Sequence, residues 1–147
     1  MICLRRFCRE DAGTVRTVLY PDMALGEIEE MIADWNAGVW NGRRFELLAV
    51  TAGGAIAGYA SLLEQSGTAA SLGIEIVPAH RGRGIASEAM RLLLELASES
   101  GYRLIVDQVR ADNAPSIRLH EKCGFTTDGR AYRNRRDHDV VYYLKQL

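Results

Sequence analysis

The chain is poor in the residues that usually announce a special class of protein. Its cysteines are Cys3, Cys8 and Cys123 only. They are odd in number and lack the close pairing of a zinc site or a disulfide framework, so reduced thiols in the cytoplasm are the expectation. Prolines number three, and no Pro-rich, Ser-rich or low-complexity tract interrupts the sequence, which excludes an internal linker. No internal repeat is visible. No apolar run approaches the roughly 20 residues of a membrane-spanning helix, and no signal-peptide pattern opens the chain. A net charge of −1 gives no global attraction to nucleic acid or to a membrane surface. What is present is ordinary globular usage, 48% apolar and 25% charged over 147 residues. That length suits one well-buried domain spanning 1–147 and is short for two.

Periodicity places the elements. Ile2 to Phe7 roughly alternates apolar and polar residues, as a strand does. Glu10 and Asp11 precede a short helical run from Ala12 to Tyr20, with acids favourable near its first turn, and Pro21 breaks it. Leu25, Ile28, Met31, Ile32 and Trp35 recur at helical spacing. Asn36 to Arg43 is polar and reads as a loop. Phe45 to Thr51 and Ala55 to Glu64 flank Gly53-Gly54, a hairpin signal. A strand from about Ala69 to Val77 follows. Ile85, Ala89, Leu92, Leu93 and Leu96 mark the buried face of a helix from Ile85 to Ser100. A strand from Tyr102 to Val109, a helix opened by Pro115 and a final hairpin ending in Val140 to Leu144 complete the chain. The order β-α-α-β-β-β-α-β-α-β-β alternates hairpins with helical crossovers. It predicts an α/β fold with a mixed sheet and helices on both faces.

The densest chemical signal is Arg81-Gly82-Arg83-Gly84-Ile85-Ala86. It lies between the strand that Pro78 closes and the helix that opens at Ile85. A helix N-terminus exposes unpaired amides and a partial positive charge, and the glycines let a ligand approach the backbone. Arg81 and Arg83 add full charges. The expected ligand is a phosphate, best a diphosphate. The Walker pattern is absent. The dinucleotide fingerprint fails because Ser87 stands where its third glycine belongs.

A second motif lies downstream. Asn113 and Ser116 are followed by Leu119-His120-Glu121-Lys122-Cys123-Gly124-Phe125. Together with Arg-x-x-Gly-x-Ala, in this order and at this distance, the pair resembles the GNAT superfamily of N-acetyltransferases, sharply over residues 71–125 and loosely elsewhere. The resemblance implies a single-domain, mostly antiparallel mixed sheet whose fourth and fifth strands splay apart. It implies acetyl-CoA as co-substrate. The diphosphate would rest on Arg81, Gly82, Arg83, Gly84, Ile85, Ala86 and Ser87. The pantetheine arm would pair with backbone of Ile76 and Val77 and meet Asn113 and Ser116. The reaction implied is acetyl transfer to a primary amine of a small molecule or peptide, by direct attack in a ternary complex. A homodimer is common in the family.

Such chemistry needs a base, because an amine at neutral pH is mostly protonated. Glu75 is the first choice, a carboxylate in an apolar strand that shares a face with Ser71 and Gly73. This chain departs from the family pattern at Ser71, where many members carry the glutamate. Glu64 is an alternative acting through water. His120 stands where the family often has a tyrosine near the leaving sulfur, and a histidine can donate a proton there. Cys123, three residues on, raises a covalent alternative, although buried cysteine is usually a small hydrophobe. Arg130, Arg133, Arg135 and Arg136 read as a solvated hairpin offset by Asp137 and Asp139. Trp35 and Trp40, near acidic residues, could wall an amine site or belong to an amphipathic helix. Two other functions fit the same motifs. One is a CoA-binding sensor or partner protein without catalysis. The other is transfer of a longer acyl group.

Overall fold

The computed structural model describes residues 1–147. The strands are β1 (Ile2–Arg6), β2 (Val39–Trp40), β3 (Arg43–Ala52), β4 (Ala55–Glu64), β5 (Ala69–Ile76), β6 (Leu104–Arg110), β7 (Tyr132–Arg133) and β8 (Asp139–Gln146). The helices are α1 (Ala12–Val18), α2 (Leu25–Asn36), α3 (Ile85–Glu99) and α4 (Ala114–Lys122). The sheet runs β1-β3-β4-β5-β6-β8-β7, with β2 paired to β3. Every pairing is antiparallel except β5 with β6. The expected mixed, mostly antiparallel α/β sheet is therefore present. The anticipated loop between α2 and β3 contains the short β2, so the strands expected fourth and fifth are β5 and β6.

Two apolar clusters sandwich the sheet. On one face α3 buries Ile85, Ala89, Met90, Leu93 and Ala97 against Leu62, Leu72, Ile76, Ile105 and Val109. On the other, Val15 of α1 and Ile28 and Ile32 of α2 meet Phe7, Leu47, Ala49 and Ile56. Each fully buried aliphatic side chain contributes about 1.5–3 kcal/mol. Trp35 spends its ring on this second cluster, tilted against Phe7 with 5.0 Å between centroids. The β3–β4 turn is Gly53-Gly54, with φ of 58° and 86°. Both lie in the left-handed region that a tight two-residue hairpin demands.

The feature that positions the site is where β5 and β6 part. Their parallel pairing is confined to Ala69 with Leu104 and Ala70 with Ile105. Beyond it the strands diverge, and the Leu72 amide donates to a side chain, Asp107 Oδ1, at 2.7 Å. Amides and carbonyls of one parity point to one side of a strand. Those of Ile74 and Ile76 therefore face the widening gap, on the same side as Leu72.

Candidate functional site

The gap opens into a cleft of about 520 Å³ lined by Ile74, Glu75 and Ile76 of β5, the turn from His80 to Gly84, the first residues of α3, and Asn113, Pro115, Ser116 and Leu119. Three local structures build it. Pro78–His80 forms a single 3-10 turn, closed by Arg81 N donating to Pro78 O at 3.2 Å. Gly82 and Gly84 then sit at φ of 78° and 75°. No atom would crowd a side chain at either position. The dihedral, not space, is what calls for glycine. Gly84 is the residue before the first turn of α3, and no side chain caps that turn. The first amides of α3 are thus free to meet an anion. The opposite wall is the start of α4, where Asn113 Oδ1 accepts from Ser116 N at 3.2 Å and Pro115 occupies the first turn.

The sequence-predicted residues divide. Arg81, Gly82, Gly84, Ile85, Ala86, Ser87, Ile76, Glu75, Asn113 and Ser116 all line the cleft. Arg83 and Val77 do not. Val77 is a correction: its amide donates to Ala57 O at 2.8 Å, which holds it in the β4–β5 ladder. The backbone groups left facing the gap are those of Ile74 and the Ile76 amide, the Ile76 carbonyl being taken by Arg81. Arg81 binds the end of β5, donating from Nε to Ile76 O at 2.7 Å and from Nη2 to Glu75 Oε1 at 2.8 Å.

Glu75 is more open than its apolar strand suggested, with 51% of its side chain exposed. The reason is that β6 has already left its flank. Its cross-strand partner is Tyr59, a half-buried residue that sequence reading passed over. Burial, then the neighbouring Tyr20 and Glu75, holds the Tyr59 phenol above its usual pKa, so it stays a hydrogen-bond donor. Glu64 sits at the far end of β4, opposite Ala70, and accepts from the Tyr102 hydroxyl at 3.5 Å.

His120 is the second correction. It does not line the cleft and is only 5% exposed. Its Nε2 lies 2.7 Å from Asp107 Oδ2 and its Nδ1 lies 2.8 Å from Ser116 O. The ring packs edge-on against Phe125 and beside Tyr143. Burial presses its pKa down. The Asp107 hydrogen bond, the Ser116 carbonyl and the Asp107 charge outweigh that, and the net direction is up. Asp107 itself is 3% exposed. Asp107 carried a different signal from Glu75: its neighbours are Val106 and Gln108, but Ile105 and Val109 share its strand face and are buried. Cys123 is half-buried and outside the cleft, and burial pushes its thiol pKa up. Cys123 is therefore not placed to act as the nucleophile of a covalent acyl route. The arginine-rich hairpin is offset by acids as expected, with Arg133 bridged to Asp137 and Asp139.

The family model described as an acetyltransferase (GNAT) domain matches residues 2–126, and the chain belongs to that family. It is 36% identical over 53 residues to the L-methionine sulfoximine/L-methionine sulfone acetyltransferase of Salmonella typhimurium. That alignment covers 36% of this chain and 31% of the relative. Among solved structures, a probable acetyltransferase superposes with a TM-score of 0.84 at 23% identity, covering 99% of this chain and 92% of the other. The spermidine N-acetyltransferase of Vibrio cholerae, solved with CoA and spermine, gives 0.76 at 22% identity, over 99% and 95% of the two chains. At these identities the likeness is one of fold. No helix is long and apolar enough to cross a membrane.

Proposed function

We propose that the domain transfers an acetyl group from acetyl-CoA to a primary amine by direct attack in a ternary complex. One observation carries this reading: a single cleft joins an uncapped helix N-terminus behind two left-handed glycines to a pair of splayed strands with unpaired backbone. The first part fits a diphosphate and the second fits an extended amide-bearing arm, as β-augmentation does for a peptide. Acetyl-CoA supplies the thioester that carries the acetyl group. The chain does the rest. Amides of Gly82, Gly84, Ile85 and Ala86 hold the diphosphate. The Ile74 backbone pairs with the pantetheine arm, and the Ile76 amide is offered to polarise the carbonyl. Asn113 and Ser116 close the opposite wall. Glu75, on the face shared with Tyr59, takes the amine proton directly or through water, and its second carboxylate oxygen is left over after the Arg81 contact. With His120 turned away, the leaving thiolate takes its proton from solvent or from the acceptor.

Gly84→Val tests the carrying observation. Valine at φ 75° is strained, and a left-handed dihedral costs an L-residue about 1–2 kcal/mol even without β-branching. Titration calorimetry is expected to show acetyl-CoA binding weakened by about tenfold or more, with KM moving in parallel. Unchanged affinity would remove the diphosphate from this turn. A mass-spectrometric screen of amines with the parent protein reads turnover. Tight binding without any acetylated product would replace the enzyme by the non-catalytic reading.

A further inference from the structure

We propose that Asp107 and His120, as a carboxylate–imidazolium pair, are positioning residues that fix the apex of the cleft and so set its affinity for acetyl-CoA. This rests on the cofactor reading above. The pair stands where β5 and β6 separate. Asp107 Oδ1 accepts from Leu72 N at 2.7 Å, in the place a β6 carbonyl would take if the ladder continued. Oδ2 meets His120 Nε2 at 2.7 Å, and Nδ1 meets the Ser116 carbonyl at 2.8 Å. Ser116 belongs to the first helical turn of α4, which forms one wall of the cleft, while β5 forms the other. One continuous run of hydrogen bonds therefore ties both walls together at the floor, through β6.

The proton count follows from the acceptors. A carboxylate and a backbone carbonyl can only accept, and a neutral imidazole carries one N–H. Both bonds exist together only when the ring is doubly protonated. Loss of that proton sets a lone pair against one acceptor, and either Asp107 or the α4 turn must let go. The titratable groups facing the ring are Asp107 from β6 and Tyr143 from β8, whose ring centroid is 5.3 Å away and whose hydroxyl donates to Glu121 Oε1 at 3.2 Å. Phe125 covers another edge, and the Ser116 hydroxyl lies 3.4 Å from Nδ1.

The test is acetyl-CoA binding by calorimetry from about pH 7 to about pH 9.5, above the range where a phosphate monoester titrates. His120 is followed in the same samples by NMR of ring-labelled histidine. In the parent protein, affinity is expected to fall about tenfold as His120 loses its proton, the loss of one charge-assisted hydrogen bond. Asp107→Asn is expected to flatten that dependence. Its carbonyl oxygen can accept from Leu72 N and its amide can donate to Nε2 of a neutral ring, whose Nδ1–H still serves Ser116. His120→Gln, with no titrating ring, is expected to be flat as well and serves if Asp107→Asn does not fold. A parent protein whose His120 titrates while acetyl-CoA affinity stays constant overturns the proposal alone. So does a variant that keeps the parental slope. No acetyl-CoA binding at any pH overturns the cofactor reading and the proposal with it.

Discussion

Gly58→Ala is expected to cost the protein about 3 kcal/mol or more in denaturant unfolding, and to weaken acetyl-CoA binding in whatever fraction still folds. Gly58 lies in β4 directly opposite Ile76. A Cβ built there would sit 1.9 Å from the Glu75 carbonyl oxygen and 2.9 Å from Glu75 C and Ile76 Cα. Those are backbone atoms, so no side chain can swing aside. Relief requires the end of β5 to move away from β4, and that end is also the wall of the cleft. The Val77–Ala57 bond and the Arg81 contact to Ile76 O both depend on its position. Stability and ligand affinity should therefore fall together. Gly26→Ala is the control. Gly26 is in α2 with nothing within 4 Å of a built Cβ. Gly26 is the second residue of α2, so alanine there is expected to be neutral or to stabilise by roughly 0.5 kcal/mol or less, the full entropy gain applying only in a helix interior. Equal, small effects at the two positions would refute the close approach of β4 and β5.

How much of this was legible in the sequence depends on what each signal rests on. The Gly82 and Gly84 turn was readable because a left-handed backbone at a helix start has almost one chemical solution. Elements came through where apolar spacing was strong, as in α3 and in the β3–β4 hairpin with its two glycines. Two-residue β2 carries too few residues for any period, whereas equally short β7 is the first arm of the final hairpin that was expected. The site was less legible for a reason of register. A strand's pattern tells which side chains share a face, and it correctly grouped Glu75 with Ser71 and Gly73. It does not tell which backbone groups a neighbouring strand has already taken. That is why Val77 was expected in the cleft and Ile74 was not. His120 was misjudged for a related reason. Its partner Asp107 is 13 residues away on another element, and sequence spacing cannot bring them together. Read as a pair rather than singly, a buried strand carboxylate and a helix histidine would have pointed inward. Gly58 gave a signal that was not taken up: a lone glycine inside the apolar run Ala55 to Glu64 points to a bulge or a close backbone approach, though not to which neighbour.

His120→Leu is expected to destabilise the fold by about 3–5 kcal/mol, the usual cost of stranding one member of a buried ion pair. For a domain of this size that is roughly 10 °C or more in melting temperature. Leucine fills the apolar contacts with Phe125 and Tyr143 but leaves the Asp107 carboxylate at 3% exposure with the Leu72 amide as its remaining partner. Charge rather than volume should thus account for the loss. A double-mutant cycle isolates it: Asp107→Asn in the same background removes the stranded charge, keeps an acceptor for Leu72 N, and is expected to recover about half of the stability. The pH dependence gives an independent reading. The folded pKa of His120 is raised above its ordinary 6.5, with burial opposing and Asp107 prevailing. The stabilisation from its protonated form is therefore complete below 6.5 and is lost as pH rises through the raised folded value. The gap in melting temperature between the parent and His120→Leu should be widest on the acid side of that transition and narrow above it. A gap that stays constant across the transition, with no recovery in the double variant, would mean that His120 acts as a packed ring and nothing more.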